Sequence, residues 1–222
     1  MSINTIYEDD NILIVDKPAG LLVHRARELQ EPDLLAEIGH PEYGIITRLD
    51  FQTPGLLLLG KHPAALAVLN QRQRQHGIRK FYHAVLGGYF DEPEGLLRHY
   101  LRKDEGSAVV RISQTPFAKA QEALTSYRVI KEALTLSLVE IELLTGRTHQ
   151  IRAVMAQIGH PVAGDPLYGN PALNRRLGLR HQALAAMRLE FAEAKEKDLL
   201  AYLDGRSFQK RDFPFMYLLN KR

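Results

Sequence analysis

The sequence predicts an α+β fold, a mostly antiparallel mixed sheet with flanking helices. Short apolar runs bounded by Gly and Pro outnumber segments with helical periodicity. Many of these runs follow one another with no helix between them, which favours antiparallel neighbours. The two clear helical segments carry their own start and stop signals.

Ile12–Val15 reads as a strand stopped at Asp16-Lys17-Pro18, with Gly20 beyond and Leu21–Val23 as a resumption. Leu56–Leu59 is a second strand, too short for a helix and punctuated by Pro54-Gly55. Pro63 to Gln75 reads as a helix: Pro63 suits the first position, Ala64, Ala65, Leu66 and Leu69 propagate it, and Gly77 is the expected C-terminal cap. Phe81–Leu86 is a strand ended by Gly87-Gly88, and further strands are expected around Ala108–Ile112, Leu124–Ile130 and Leu134–Leu144. Thr148–Ile158 is the clearest helix, capped by Thr148, striped by Ile151, Val154, Met155 and Ile158, and ended by Gly159 and Pro161. Ala186–Phe191 reads as a final strand. No repeat or dividing linker interrupts the pattern, so residues 1–222 are expected to form one domain.

The chain has 222 residues, 45% hydrophobic and 25% charged, the composition of a globular protein able to build its own core. It has no cysteine, which excludes disulfides, thiolate catalysis, iron–sulfur clusters and Cys-ligated zinc. The N-terminus is acidic and lacks a long apolar stretch, and the longest strongly apolar run is Leu56–Leu59, so neither a secretory signal nor a membrane span is expected. A cytoplasmic monomer is the expectation.

The net charge of +3 leans mildly toward polyanions. Its distribution says more. No acid occurs from Asn70 to His83, which holds Arg72, Arg74, Arg79 and Lys80, nor from Pro171 to His181, which holds Arg175, Arg176 and Arg180. Two such stretches suit a nucleic-acid backbone, although each also suits a solvated surface.

The segment from Gly55 to Lys61 matches most of a phosphate-loop pattern, but His62 stands where Ser or Thr must hold magnesium, and four leucines suit a buried strand instead. No HxH or HExxH spacing occurs among the nine histidines, so no metal is expected.

Three other segments concentrate chemistry-bearing residues. Thr47-Arg48-Leu49-Asp50 leads into the turn formers Thr53-Pro54-Gly55. Arg79-Lys80-Phe81-Tyr82 places Lys80 and Tyr82 on one strand face. Arg147-Thr148-His149-Gln150-Ile151-Arg152 opens a helix with His149 and Arg152 three residues apart. Taken singly, each has a bland reading as a turn, a strand aromatic or a solvated cation. In order, and with DDNILIVDKPAGLLVH (Asp9–His24) before them, they resemble the RluA-type pseudouridine synthase family. The match runs over ITRLDFQTPGLLLLGK (Ile46–Lys61) and RKFYHAVLGG to LLTGRTHQIRAVMAQIGHPVAGDPLYG (Leu143–Gly169). Two positions depart from the family pattern: Thr47 stands where His is usual, and Pro54 where Ser is usual.

The resemblance implies a pseudouridine synthase fold with a central active-site cleft, and isomerisation of uridine in ribosomal or transfer RNA without cofactor or metal. It implies a stand-alone catalytic domain, since the first motif begins at Asp9. It makes Asp50 the catalytic carboxylate, Arg152 its partner, and Tyr82 the ring that stacks on uracil. Ile151 would pack near the same pocket, and Arg48 would hold the target nucleotide out of its helix. Lys80, Arg147 and His149 would bind substrate, and Arg72, Arg74, Arg79, Arg175 and Arg176 the RNA backbone. An RNA-binding or ribosome-assembly protein without activity is the alternative, and a nucleoside hydrolase or an NTP-dependent enzyme the more distant ones.

Overall fold

A computed structural model describes residues 3–23 and 33–220. Its elements in chain order are β1 (Asn4–Glu8), β2 (Ile12–Lys17), α1 (Leu34–Ile38), β3 (Gly44–Ile45), β4 (Gly55–Gly60), α2 (Pro63–Arg74), β5 (Ile78–Gly87) and β6 (Glu94–Lys103). There follow β7 (Val110–Ser113), β8 (Gln121–Ala133), β9 (Leu136–Leu143), α3 (Gln150–Gln157), α4 (Pro171–Leu177), β10 (Leu184–Phe191) and β11 (Ser207–Gln209). Eleven strands and four helices among the described residues make this an α+β fold. The chain forms two compact units, one from Met1–Lys80 with Ala186–Arg211 and one from Phe81–Ala185 with Asp212–Arg222.

In the first unit, β2 runs antiparallel to β4 along its whole length, from Ile12 opposite Gly60 to Lys17 opposite Gly55. β1 adds to β2, β3 to β4 and β11 to β10, all antiparallel, while β10 meets β4 in parallel at Ala186 and Gly55. All six residues of β4 are buried, which is why the sequence shows an unbroken apolar run there and not an alternation. The same burial removes the phosphate-loop reading, because the leucines are core and Lys61 is bonded to Glu8 and the Asp9 carbonyl. Gly55 has φ +123°, and a Cβ there would lie 2.1 Å from the Ala186 carbonyl oxygen, so only glycine fits where β4 meets β10.

Helix α2 starts where expected, with Pro63 at its first turn and His62 as cap. Its end differs. The left-handed residue is His76, at φ +59°, not Gly77, whose N–H instead closes the turn on the Arg72 carbonyl at 2.8 Å. Ala65 and Leu69 enter a core with Ile12, Ile14, Leu56, Leu58, Leu189 and Phe191.

In the second unit, the strands lie in the order β5-β9-β8-β6-β7, antiparallel throughout. Ala153 and Val154 of α3 pack on Leu101, Val110 and Ala123 of this sheet. The ten-residue β6 and the short helices α1 and α4 were not expected from the sequence. β6 mixes three Leu and a Tyr with Glu, Arg, His and Lys in no regular alternation. Leu21–Val23 does not resume a strand; Leu22 makes one isolated bridge, to Asp33.

Arg72, expected at the RNA backbone, is 3% exposed and cannot reach a phosphate. It enters the core from the last turn of α2, where its Nε and Nη2 donate to Asp198 at 2.8 and 2.6 Å and its Nη1 to Asp204 at 2.7 Å. Arg72 therefore ties α2 to the 198–204 segment, and no acid nearby in sequence betrays this because the partners are more than 120 residues away. Arg72→Ala leaves two carboxylates without their cation and is expected to destabilise the protein by about 3–5 kcal/mol. Urea unfolding followed by circular dichroism measures this; a change below about 1 kcal/mol would contradict the role.

Candidate active site

The turn that carries Asp50 is built from the strand it leads into. Ile46 N–H donates to the Leu58 carbonyl at 2.9 Å, and the buried Thr47 Oγ1 accepts the Leu58 N–H at 2.9 Å. Thr47, one of the two departures from the family pattern, therefore clips this loop to β4. Leu49 is buried and Arg48 exposed, so the chain alternates inward and outward before Asp50, which is half-buried. The Asp50 carbonyl then accepts the Thr53 N–H at 3.0 Å, closing the turn.

Beneath this turn lies Lys17, at the end of β2, with 0% exposure. Its ammonium donates to the carbonyls of Pro18, Leu21 and Phe51 at 2.9, 3.0 and 3.1 Å. Gly20 N–H adds a second link to the Phe51 carbonyl at 3.0 Å. Burial pushes the Lys17 pKa down to about 8, against the opposing pull of Asp50 and then Asp16. Asp16 is itself paired with Lys210 at 2.6 Å. The sequence reading passed over Lys17, although a Lys closing an apolar strand before Pro, followed four residues on by an apolar segment, is an available signal for a buried cation.

Along β5, Lys80, Phe81 and Tyr82 follow in sequence. Lys80 is half-buried with its pKa lowered by desolvation, and Phe81 and Tyr82 are each 6% exposed. Tyr82 faces Ile141 across the β5–β9 pairing.

The turn before α3 is organised by Gln150, not by Thr148. The expected Thr148 cap is absent: His149 is the N-cap residue, held at φ +53° without a side-chain cap bond. Gln150 Oε1 accepts from Arg147 N–H and Thr145 Oγ1, both at 2.9 Å, and its Nε2 donates to the Leu124 carbonyl and Thr125 Oγ1. A 2% exposed amide with this many partners pins the turn to β8. Arg147 Nε donates to the Glu122 carbonyl at 2.9 Å. Ile151 is 4% exposed and Arg152 5%. Arg152 donates from Nε and Nη2 to Asp165 at 2.7 and 2.9 Å, a pair the sequence reading did not foresee. Two such bonds do not exhaust the five N–H donors of a guanidinium.

Asp50, Arg48 and Lys80 thus belong to the first unit, and Tyr82, Arg147, His149, Ile151 and Arg152 to the second. Of the expected backbone cations, Arg74, Arg79, Arg175 and Arg176 are exposed. Arg79 pairs with Glu190 at 3.0 Å, and Arg176 donates to Thr135 at 2.5 Å. His24, the last residue of the first motif, lies outside the described residues. Among the described residues no His, Asp and Glu cluster could hold a metal ion, and no helix is long and apolar enough to cross a membrane.

Residues 11–157 match the family described as RNA pseudouridylate synthase. The chain belongs to this family. It is 34% identical over 225 residues to ribosomal large subunit pseudouridine synthase D of Neisseria meningitidis, covering 91% of this chain and 58% of that one. It is 36% identical over 216 residues to synthase D of Nitrosomonas europaea, covering 89% and 60%. Synthase C of Vibrio cholerae matches at 33% over 202 residues, covering 87% and 63%. The chain spans less than two thirds of the length of these relatives. In fold it resembles human RNA pseudouridylate synthase domain containing 1, with a TM-score of 0.72 at 23% identity over 100% of this chain and 96% of that one.

Lys17→Met keeps the bulk but removes the ammonium donor to the Pro18 and Leu21 carbonyls and one of two donors to that of Phe51, and is expected to destabilise the protein by roughly 1–3 kcal/mol at pH 7. The pH dependence has a definite sign. With a folded pKa of about 8 below an unfolded value of 10.5, the unfolded chain binds the extra proton between these values. Stability contributed by Lys17 therefore rises from pH 8 toward 10.5, and the gap between the original protein and Lys17→Met widens over that range. Thermal melts of both across that interval measure it; a gap that narrows would contradict the buried ammonium.

Proposed function

We propose that this protein converts uridine to pseudouridine within an RNA chain, with Asp50 as the reacting carboxylate. The observation that carries the reading is Asp50 itself: a half-buried acid on a fixed turn, within electrostatic reach of the buried Lys17, inside the span matched by the family. A protein that only binds RNA gains nothing from a carboxylate held there, because it repels phosphate.

The reaction breaks the bond from the ribose anomeric carbon to uracil N1, and the base departs with the electron pair. Uracil turns, its carbon 5 bonds to the same anomeric carbon, the carbon 5 proton leaves, and N1 regains a proton. The overall change is an isomerisation, so neither oxidant nor cofactor is required. The sugar develops cationic character as the base departs, which a carboxylate at the anomeric carbon stabilises. Two routes are open to Asp50: attack on that carbon, or removal of the 2′ proton.

In this reading Arg152 is the cation that partners Asp50. Tyr82 stacks on the uracil and Ile151 packs beside it. Arg48, exposed next to Asp50, fills the space that the everted nucleotide leaves. Lys80, Arg147 and His149 hold the nucleotide and its phosphates, and the exposed Arg74, Arg79, Arg175 and Arg176 bind the RNA backbone. The names of the relatives support ribosomal RNA as substrate, with transfer RNA the other candidate. The protein acts as a monomer in the cytoplasm, without metal.

Asp50→Asn is expected to lower single-turnover pseudouridine formation at least about 1,000-fold while RNA binding stays intact or tightens. Retained product would remove Asp50 from the chemistry. Arg175→Ala and Arg176→Ala are each expected to weaken RNA binding and to reduce the salt slope of log affinity by about 0.7–0.9. Filter binding from low to moderate salt checks this; an unchanged slope would take these residues off the RNA.

A further inference from the structure

The side chain of Arg152 is fixed on one edge and one face by residues to which neither the motif reading nor the proposed chemistry gives a part. Asp165, on the turn after α3, is 1% exposed. Its Oδ2 accepts from Arg152 Nε at 2.7 Å and its Oδ1 from Arg152 Nη2 at 2.9 Å. Oδ1 also accepts the backbone N–H groups of Leu167 and Tyr168 at 2.8 and 3.0 Å, so the carboxylate cannot turn without breaking its own loop. Burial raises the Asp165 pKa, but the bond and charge of Arg152 with the two N–H groups hold it below the usual carboxylate value. The Tyr168 ring lies against the guanidinium, 5.3 Å from its carbon to the ring centroid. That ring is held in turn by its hydroxyl, which accepts the Val110 N–H at 2.8 Å and bonds His149 Nδ1 at 3.0 Å.

A guanidinium is planar and rigid. Two parallel N–H···O bonds along one edge, with a ring on one face, set both its plane and the direction of its remaining N–H groups. Lys in place of Arg would carry the charge without that directionality.

We infer that Asp165 and Tyr168 are positioning residues that aim the guanidinium of Arg152 and, through it, the reacting carboxylate. The inference rests on the reading above in which Arg152 partners Asp50. A displacement of about 1 Å in such a group costs on the order of 100-fold in rate, which sets the size of the expected effect.

Asp165→Asn keeps an oxygen for the Leu167 and Tyr168 N–H groups but loses the charged pair with Arg152. Single-turnover pseudouridine formation is expected to fall about 100-fold, with the Kd for RNA changed less than about 3-fold. In an Arg152→Ala background the same substitution adds no further loss, because it acts through the residue already removed. Tyr168→Leu behaves likewise, and Tyr168→Phe, which keeps the ring, loses less than Tyr168→Leu. An Asp165→Asn rate within about twofold of the original overturns the inference, as does a loss that multiplies in full with that of Arg152→Ala. If Asp165→Asn does not fold, the Tyr168→Leu cycle gives the same decision. Asp50→Asn, assayed in parallel, separates the two readings. Retained product there defeats the assignment of Asp50, whereas an inactive Asp50→Asn beside an unimpaired Asp165→Asn defeats only this inference.

Discussion

An ammonium group with no access to solvent ties the turn of Asp50 to the end of β2. Lys17 donates to carbonyls on both sides of that junction, its own 18–21 turn and Phe51, the residue after Asp50. Burying a cation is costly, and the hydrogen bonds of this ammonium go to three backbone carbonyls. The cost is offset in part by the three bonds to backbone carbonyls and by the attraction of Asp50 and Asp16. The geometry of the acid therefore depends on a residue whose charge and hydrogen bonds act together.

The same logic recurs in the second unit with the signs reversed. There a buried acid, Asp165, organises a cation, Arg152, and the turn around it. Arg72 with Asp198 and Asp204 is a third case, serving only the fold. Buried charge recurs in this chain, with partners on the backbone for Lys17, 13 residues away for Arg152 and more than 120 residues away for Arg72.

That distance decides what the sequence could reveal. β4 and β10 were legible because they are buried runs, and α2 because Pro63 and its alanines mark it. β6 was not legible: its exposed face carries Leu96 beside Glu94 and Arg98, its inner face carries His99, and register with β8 supplies what propensity does not. The helix start at His149 was misplaced by one residue because Gln150, reaching back to Arg147, does the work expected of Thr148. In the candidate site, motif order picked out Asp50, Tyr82 and Arg152, yet Lys17, Asp165 and Tyr168 stood inside the same motifs without an assigned role. Charge alone also misread Arg72, since an acid-free stretch of sequence says nothing about acids brought to it by folding.

The central claim is that this chain switches the attachment of uracil to the ribose from N1 to carbon 5 without releasing the base to solution. Ribosomal and transfer RNA carrying tritium at uracil carbon 5 test it most directly. The account predicts tritium released to water in step with new pseudouridine, one for one, and no uracil in solution. RNA that keeps its tritium, or free uracil appearing in place of pseudouridine, would contradict it.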